Sequence, residues 1–584
     1  MKSLQYLNKY FIKYKWRLLL GVLITVLAKI LTLKIPDFVG DSLNIVEDYQ
    51  LGKVTDLSQV KTVLLNNILL IVGVTLLGGF FTFLMRQTII VMSRMIEFDL
   101  KNEIYQQYQR LSNNFYKKNR TGDLMNRISE DVSKVRMYFG PAIMYSLNML
   151  VSLAIGFSQM YAISPKLTLY TMIPFPILSV SIFVLSRQIN KRSTIVQQYL
   201  SKLTTFNQEF FSGINVVKSY AIEEEVIASF DEIADQSKEK NIELYKIQAL
   251  FFPLMILLIG LSNIIVLYIG GKQYIAGEIQ LGAIGAFVMY VNILTWPVAV
   301  VGWVTSMVQQ AEASQQRINE FLEEIPEIVN TTDVTTEVAG EIEFKDVSLT
   351  YEDTNITALN KVSLVIKKGE TLAILGKTGS GKTTIINLIS RLYDVSEGAV
   401  LIDGINIKEC NLYDVRRQIG FVPQDPFLFS DTIQNNIKFG KEDATEEEII
   451  AAAKNAVIHD NIVDFKEGYN TILGERGVTL SGGQKQRTSI ARAIIKNPKI
   501  LIFDDCLSAV DTETEEQILS NLEKVSNDKT TIIISHRVSS AKNADKIIIL
   551  DEGKIIQQGV HNQLIETVGY YKELYEQQLL EKEM

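Results

Sequence analysis

The sequence predicts an α-helical membrane domain of six long transmembrane helices followed by an α/β phosphate-loop domain. Three observations carry this. Six apolar runs before residue 310 are each long enough to cross a bilayer, which takes roughly 20 residues per helix. A glycine-rich loop, Gly376-Lys-Thr-Gly-Ser-Gly-Lys-Thr-Thr384, joins the buried-strand pattern Thr371–Leu375 to a helical pattern from Ile385. Short apolar strand patterns recur around it, at Ile342, Phe344 and Leu364, at Ile500–Phe503 and at Thr531–Ser535.

At 584 residues the chain is too long for one core, and its length suggests roughly three or four domain-sized units. A hydrophobic content of 47% is high for a soluble protein, and the excess lies before residue 310. The net charge of −8 argues against nucleic acid as a partner. The two cysteines, Cys410 and Cys506, give no disulfide framework and fit a reducing cytosol.

The predicted spans are 17–36, 63–91, 139–163, 167–187, 247–270 and 281–308. The first contains Lys29 and Lys34 and lacks a small-residue cleavage site, so it reads as a retained helix, not a signal peptide. Residues 1–17 hold five Lys/Arg and residues 94–136 hold nine, whereas connections 38–60, 164–166 and 271–280 hold one each. The positive-inside rule then puts the N-terminus and the region after the sixth span in the cytosol, with the chain in the cytoplasmic membrane. The first outside connection is acidic, with Asp41, Glu47, Asp48 and Asp56.

The connections 92–138 and 188–246 are rich in helix formers, so the membrane helices are predicted to continue into the cytosol and turn back. Before the first span, Leu4, Leu7, Phe11 and Tyr14 share one helical face, which suits an amphipathic helix on the inner leaflet. Ionisable groups within membrane spans are costly and usually functional. Arg86 is placed either facing an aqueous path or packing between helices, and Lys34 either in such a path or snorkelling to water. Tyr290, Asn292 and Trp296 on the sixth span either touch a substrate or pack. After Gln309 the composition turns Glu-rich, and residues 311–338 read as a linker before a second domain at 339–578 and a tail at 579–584.

The loop Gly376–Thr384 has the composition of a phosphate cradle. Gly376, Gly379 and Gly381 let backbone amides turn inward. Lys377, Thr378, Ser380 and Thr384 complete the nest, Lys382 reaches β- and γ-phosphates, and the Thr383 hydroxyl is a magnesium ligand. At Leu480-Ser-Gly-Gly-Gln-Lys-Gln-Arg487, Ser481, Gly482, Gly483 and Gln484 open a helix and bare amides that form a second anion site without a lysine.

With that second stretch the chain resembles the ATP-binding cassette (ABC) family, whose signature has this form and whose cassettes work in head-to-tail pairs. The resemblance spans nearly the whole chain. Its six-span layout before one cassette is similar to a half-transporter of the exporter branch, so the implied second domain is a P-loop NTPase cassette. The resemblance implies ATP and Mg2+ as cofactors, with Tyr351 stacking on adenine. Gln424, in Phe421-Val-Pro-Gln-Asp425, corresponds to the family's glutamine loop and touches magnesium or water. Asp504 holds the metal through water at the end of its strand. Asp505 stands where the family normally carries the glutamate that orients attacking water, its carboxylate roughly 1.5 Å farther back by one C–C bond. His536 contacts the γ-phosphate. Gly474-Glu-Arg-Gly477 and Ser508-Ala-Val-Asp511 resemble further communicating elements. Asn119–Arg127 and Glu209–Lys218 resemble the two coupling regions, with Gly122 and Gly213 supplying turns. His459 and His561 have no such context, and no metal site is suggested by histidine.

The implied function is ATP-driven export or flipping of a hydrophobic or amphipathic drug or lipid by alternating access. Implied partners are the bilayer, the substrate and a second half-transporter subunit. An aspartate at position 505 often marks one subunit of an exporter heterodimer, so a heterodimer and a slowly hydrolysing homodimer both stand. Asp505 also motivates an alternative from another class, an ATP-gated membrane regulator or channel that scarcely hydrolyses.

Overall fold

The structure, a computed structural model, describes residues 2–583 apart from 475, 476, 478 and 509, and leaves the side chains of 299, 512 and 581–583 aside. The chain divides into two units, Met1–Gln109 with Thr121–Glu324, and Arg110–Arg120 with Ile325–Met584.

Among the described residues six helices are long and apolar enough to cross a membrane: Lys15–Gln50, Leu57–Arg110, Thr121–Ile163, Pro165–Ser212, Glu223–Ile275 and Leu281–Leu322. Each contains one predicted span. Only a closed hydrogen-bonding pattern such as a helix survives in lipid, where unpaired backbone groups are costly. The connections 92–138 and 188–246 are largely helical, as predicted.

The first helix breaks at Leu33–Lys34 and restarts at Ile35, with Pro36 in its first turn. Proline lacks the N–H that would bond back across the break. The ammonium of Lys34 pairs with Asp37 at 3.1 Å. The helix then runs to Gln50, which corrects the expected acidic connection at 38–60. Asp41, Glu47 and Asp48 are helical, because Pro36 at a helix start is an initiator here and not a stop.

Helix Ile35–Gln50 crosses helix Leu281–Ala299 through two glycines. A Cβ added at Gly282 would lie 1.9 Å from the Gly40 carbonyl oxygen, and the Gly282 amide donates to Asn44 Oδ1 at 2.7 Å. Gly282→Ala should therefore push the helices apart and cost about 1–3 kcal/mol. Gly271→Ala, where nothing lies within 4 Å, should be near neutral. Thermal unfolding of the two variants in nanodiscs checks this; equal midpoints would refute the crossing as tight. Nearby, Tyr290 is wholly buried and its hydroxyl donates to Leu33 O at 3.0 Å and Asp37 Oδ1 at 2.7 Å. Of the two readings given above for Tyr290, packing is the one observed, while Asn292 and Trp296 are exposed.

The N-terminal segment departs from the expectation of a leaflet-facing stripe. Leu4, Leu7 and Tyr10 are buried in protein, and the Phe11 ring lies 4.8 Å from that of Phe139. Tyr6, Lys9 and Tyr10 all donate to the Glu103 carboxylate, and Lys13 and Tyr14 to Asp99. A period of 3.6 reports an apolar face but not whether lipid or protein covers it.

Gly122 lies inside the short helix Thr121–Asn126 and not in a turn; the helix ahead of it is Asn113–Lys118. Gly213 does separate helix Pro174–Ser212 from Ile214–Tyr220. The sixth membrane helix runs to Leu322, past the edge expected at 310. Polar composition there suggests a linker, yet Ala311, Ser314, Gln315, Ile318 and Phe321 keep helical spacing and are buried.

Among its described residues the second unit holds ten strands. In a four-stranded antiparallel sheet lie β1 (Ile342–Tyr351), β2 (Ile356–Ile366), β4 (Glu397–Ile402) and β5 (Ile405–Asn406), in the order β2-β1-β4-β5. The other sheet holds β3 (Thr371–Gly376), β6 (Ile419–Val422), β7 (Ile500–Asp504), β8 (Thr530–Ile534), β9 (Lys546–Asp551) and β10 (Lys554–Gly559), in the order β10-β9-β3-β8-β7-β6. Its pairings are parallel except that of β9 with β10. Strands buried on both faces read as continuous apolar runs, which is why Leu372–Leu375 and Ile500–Phe503 were legible. In such sheets ligands bind beyond the carboxyl ends of the strands. Gly376 and Asp504 stand at those ends, Gly376 paired with Leu550 and Asp504 with Ile534.

Candidate nucleotide-binding site

Where β3 ends, two positions of the loop cannot carry a side chain. Gly376 has φ 148°, and a Cβ there would meet Leu550 O at 2.1 Å; Gly381 has φ 101°, and a Cβ would meet Ala358 O at 2.3 Å. This backbone curls round its own amides and feeds helix Lys382–Ile389, whose positive end faces the loop.

Lys382, 7% exposed, folds back across the loop and donates to Gly376 O and Lys377 O, each at 2.8 Å. Burial lowers its pKa below the ordinary lysine range, against the pull of Asp505 and Asp504. Ser380 is 3% exposed and its Oγ has no hydrogen-bond partner among the described residues. A buried hydroxyl left unpaired inside an amide-rich loop is costly, and a phosphate oxygen in the cradle would supply the missing acceptor. Thr383 Oγ1 donates to Asp504 Oδ2 at 3.2 Å, so a hydroxyl and a carboxylate of the type that hold magnesium stand together. The loop and this pair fit a magnesium nucleotide.

Burial raises the Asp504 carboxyl, with Thr383 opposing and Asp505 reinforcing. Asp505 is also raised by burial, opposed by His536, Lys382 and Arg537. Its backbone has φ 42°, a left-handed conformation that aspartate tolerates better than most residues. His536 is lowered, first by burial and then by Lys382, against Asp505, which favours the neutral imidazole.

One cavity of about 390 Å³ is lined by Tyr351, Thr378, Gly379, Gly381, Lys382, Thr383, Thr384, Gln424, Asp504, Asp505 and His536. The structure thus brings together the phosphate loop, the aromatic candidate and the acid, amide and imidazole candidates from five separate stretches. The Tyr351 hydroxyl lies 3.1 Å from Thr384 Oγ1.

Ser481, Gly482, Gly483 and Gln484 are not on that wall. They form the start of helix Gly482–Ile495, where the Ser481 hydroxyl accepts from the Gln484 amide at 3.3 Å and the Gln484 side chain accepts from the Ser481 amide at 3.0 Å. Ser481 and Gly482 are exposed. Of the two other expected elements, Glu475 and Arg476 in the first and Ala509 in the second lie outside the described residues, while Asp511 caps the helix Thr512–Val525.

Two features were missed by sequence reasoning. Glu515, buried, pairs with Arg537 beside His536 and accepts from Ser540 at 2.7 Å. Lys117 and Tyr393 stand beside Tyr351. Neither belongs to a spaced motif, so no sequence signal pointed to them.

Residues 18–298 match the family model described as ABC transporter transmembrane region, and residues 359–508 the model described as ABC transporter. The multidrug resistance-like ATP-binding protein MdlA of Escherichia coli is 35% identical across 100% of this chain and 97% of its own. An ATP-dependent lipid A-core flippase of Syntrophus aciditrophicus is 36% identical across 83% of this chain and 80% of its own. Among solved structures, a bacterial Atm1-family ABC exporter with ATP bound superimposes with a TM-score of 0.81 at 26% identity, covering 96% of this chain and 99% of that one. Six helices long and apolar enough to cross a membrane among the described residues and a phosphate-loop cavity in one polypeptide, matched across 80% or more of each of these relatives, mean that the chain belongs to the ABC transporter family, in its exporter form.

Proposed function

We propose that the chain is one half of an ATP-driven exporter or flippase that moves a hydrophobic or amphipathic drug or lipid by alternating access. The observation that carries this is the separation of two anion sites on one cassette. The loop cavity gathers Lys382, Thr383 and Asp504, while the Ser481 helix start is exposed elsewhere, so a second cassette is needed to bring a signature onto each nucleotide. MdlA is named for multidrug resistance and the Syntrophus relative for lipid flipping, which supports the substrate class. Because these relatives are named for multidrug resistance and lipid flipping and the superimposed structure is named an exporter, the gated-channel alternative is not favoured.

In this reading the amides of Lys377–Thr384 and the Lys382 ammonium hold the triphosphate, and Tyr351 carries adenine. Thr383, Asp504 and Gln424 hold Mg2+, which neutralises charge on the phosphates. Asp505 orients the attacking water and His536, neutral, contacts the γ-phosphate. Ser481–Gln484 completes the site of the partner subunit. Positive-inside bias supports a cytoplasmic-membrane location with the N-terminus and cassette in the cytosol. Reconstituted in proteoliposomes, the transporter should couple substrate-stimulated ATP hydrolysis to uphill movement of a drug or lipid; hydrolysis without any movement across such a panel would overturn the reading.

Arg86 lies exposed within the second membrane helix, and an arginine against lipid costs at least about 2.5 kcal/mol. We therefore place it on the aqueous path. Arg86→Met should shift the order of substrates that stimulate hydrolysis while leaving expression near normal; lost folding with unchanged order would mean packing instead.

A further inference from the structure

The segment Arg110–Arg120 belongs to the cassette unit, although membrane helices flank it in sequence. Its helix Asn113–Lys118 sets Lys117 Nζ over two tyrosine rings, 5.1 Å from the centroid of Tyr351 and 5.0 Å from that of Tyr393. The rings meet edge to face at 5.2 Å. Asn113 Nδ2 donates to the Tyr393 hydroxyl at 3.4 Å, and the Tyr351 hydroxyl reaches Thr384 in the phosphate loop. Burial opposes the Lys117 charge, but a hydrogen bond with Tyr393 and the fields of Tyr393, Tyr351 and Asp353 outweigh it and hold the ammonium above the ordinary lysine range.

A cation over a ring draws π density toward itself and leaves that ring a better partner for an electron-rich base. Tyr351 also lines the 390 Å³ cavity. We propose that Lys117 is a base-recognition residue of the nucleotide site, which strengthens purine stacking on Tyr351 and ties nucleotide affinity to the placement of Arg110–Arg120. The inference rests on Tyr351 being the adenine platform.

Binding of MgATP and of magnesium tripolyphosphate, which has no base, to the full transporter in nanodiscs tests it. Lys117→Met should weaken ATP about two- to fivefold, the range of an exposed cation–π contact, and leave tripolyphosphate unchanged. Lys117→Arg should restore affinity, and Lys117→Met should have no effect in a Tyr351→Leu background. Equal loss for both ligands, no loss, or the same loss without the Tyr351 ring would overturn the role of Lys117. Tyr351→Leu alone separates the premise: if it leaves the preference for ATP over tripolyphosphate intact, the adenine platform itself is wrong. If it weakens ATP while Lys117→Met does nothing, only the inference falls.

Discussion

Lys382→Ala is expected to abolish ATP-driven transport and weaken MgATP binding by about 150- to 25,000-fold. The range corresponds to two charge-assisted hydrogen bonds at roughly 1.5–3 kcal/mol each. The lysine is poised for this exchange. It donates to Gly376 O and Lys377 O, and burial lowers its pKa, so a phosphate that supplies a full counter-charge is strongly preferred. The substitution also leaves those carbonyls without that donor, so the folded state should be measured alongside. Proteoliposomes of Lys382→Ala that still pump at the wild-type rate would mean that the loop is not the phosphate site.

The second large effect separates two assemblies. In a homodimer, Asp505→Asn should cut turnover about 100-fold or more, the scale of a lost general base, and Asp505→Glu should raise it. The gain would be limited by the left-handed backbone at φ 42°, which glutamate accommodates less readily than aspartate. In a heterodimer with a glutamate-bearing partner, both changes should matter little. Replacing Ser481, which caps the signature helix at its exposed start, should then disable the partner's site. A purified chain that alone forms a folded, substrate-stimulated dimer, with hydrolysis collapsing on Asp505→Asn, excludes the heterodimer. Retained hydrolysis in Asp505→Asn beside loss in Ser481→Arg excludes the homodimer.

The parts of the molecule that were legible in the sequence are those where physics constrains residue type locally. Lipid demands long apolar helices, and a phosphate nest admits only glycine where Gly376 and Gly381 run against neighbouring carbonyls. Asp504 was readable because it ends a run of buried strand residues. What escaped depends on what covers a face. Leu4 and Leu7 form the apolar stripe that was read, but protein covers it. Ile318 and Phe321 extend a helix through residues whose composition suggested a tether. Lys117 and Tyr351 lie 234 positions apart in the sequence (351 − 117), and only folding places an ammonium over that ring.

The burial of both thiols has a practical side. Cys410 and Cys506 are free and closed off from solvent, and burial pushes each thiol above its ordinary range. Since the thiolate is the reactive species, maleimide reagents should pass the folded chain by even though Cys506 adjoins Asp505. The natural sequence is thereby a ready background for spin or fluorophore labelling. One cysteine introduced at exposed Tyr220 would carry the only reactive thiol, with both native cysteines left in place.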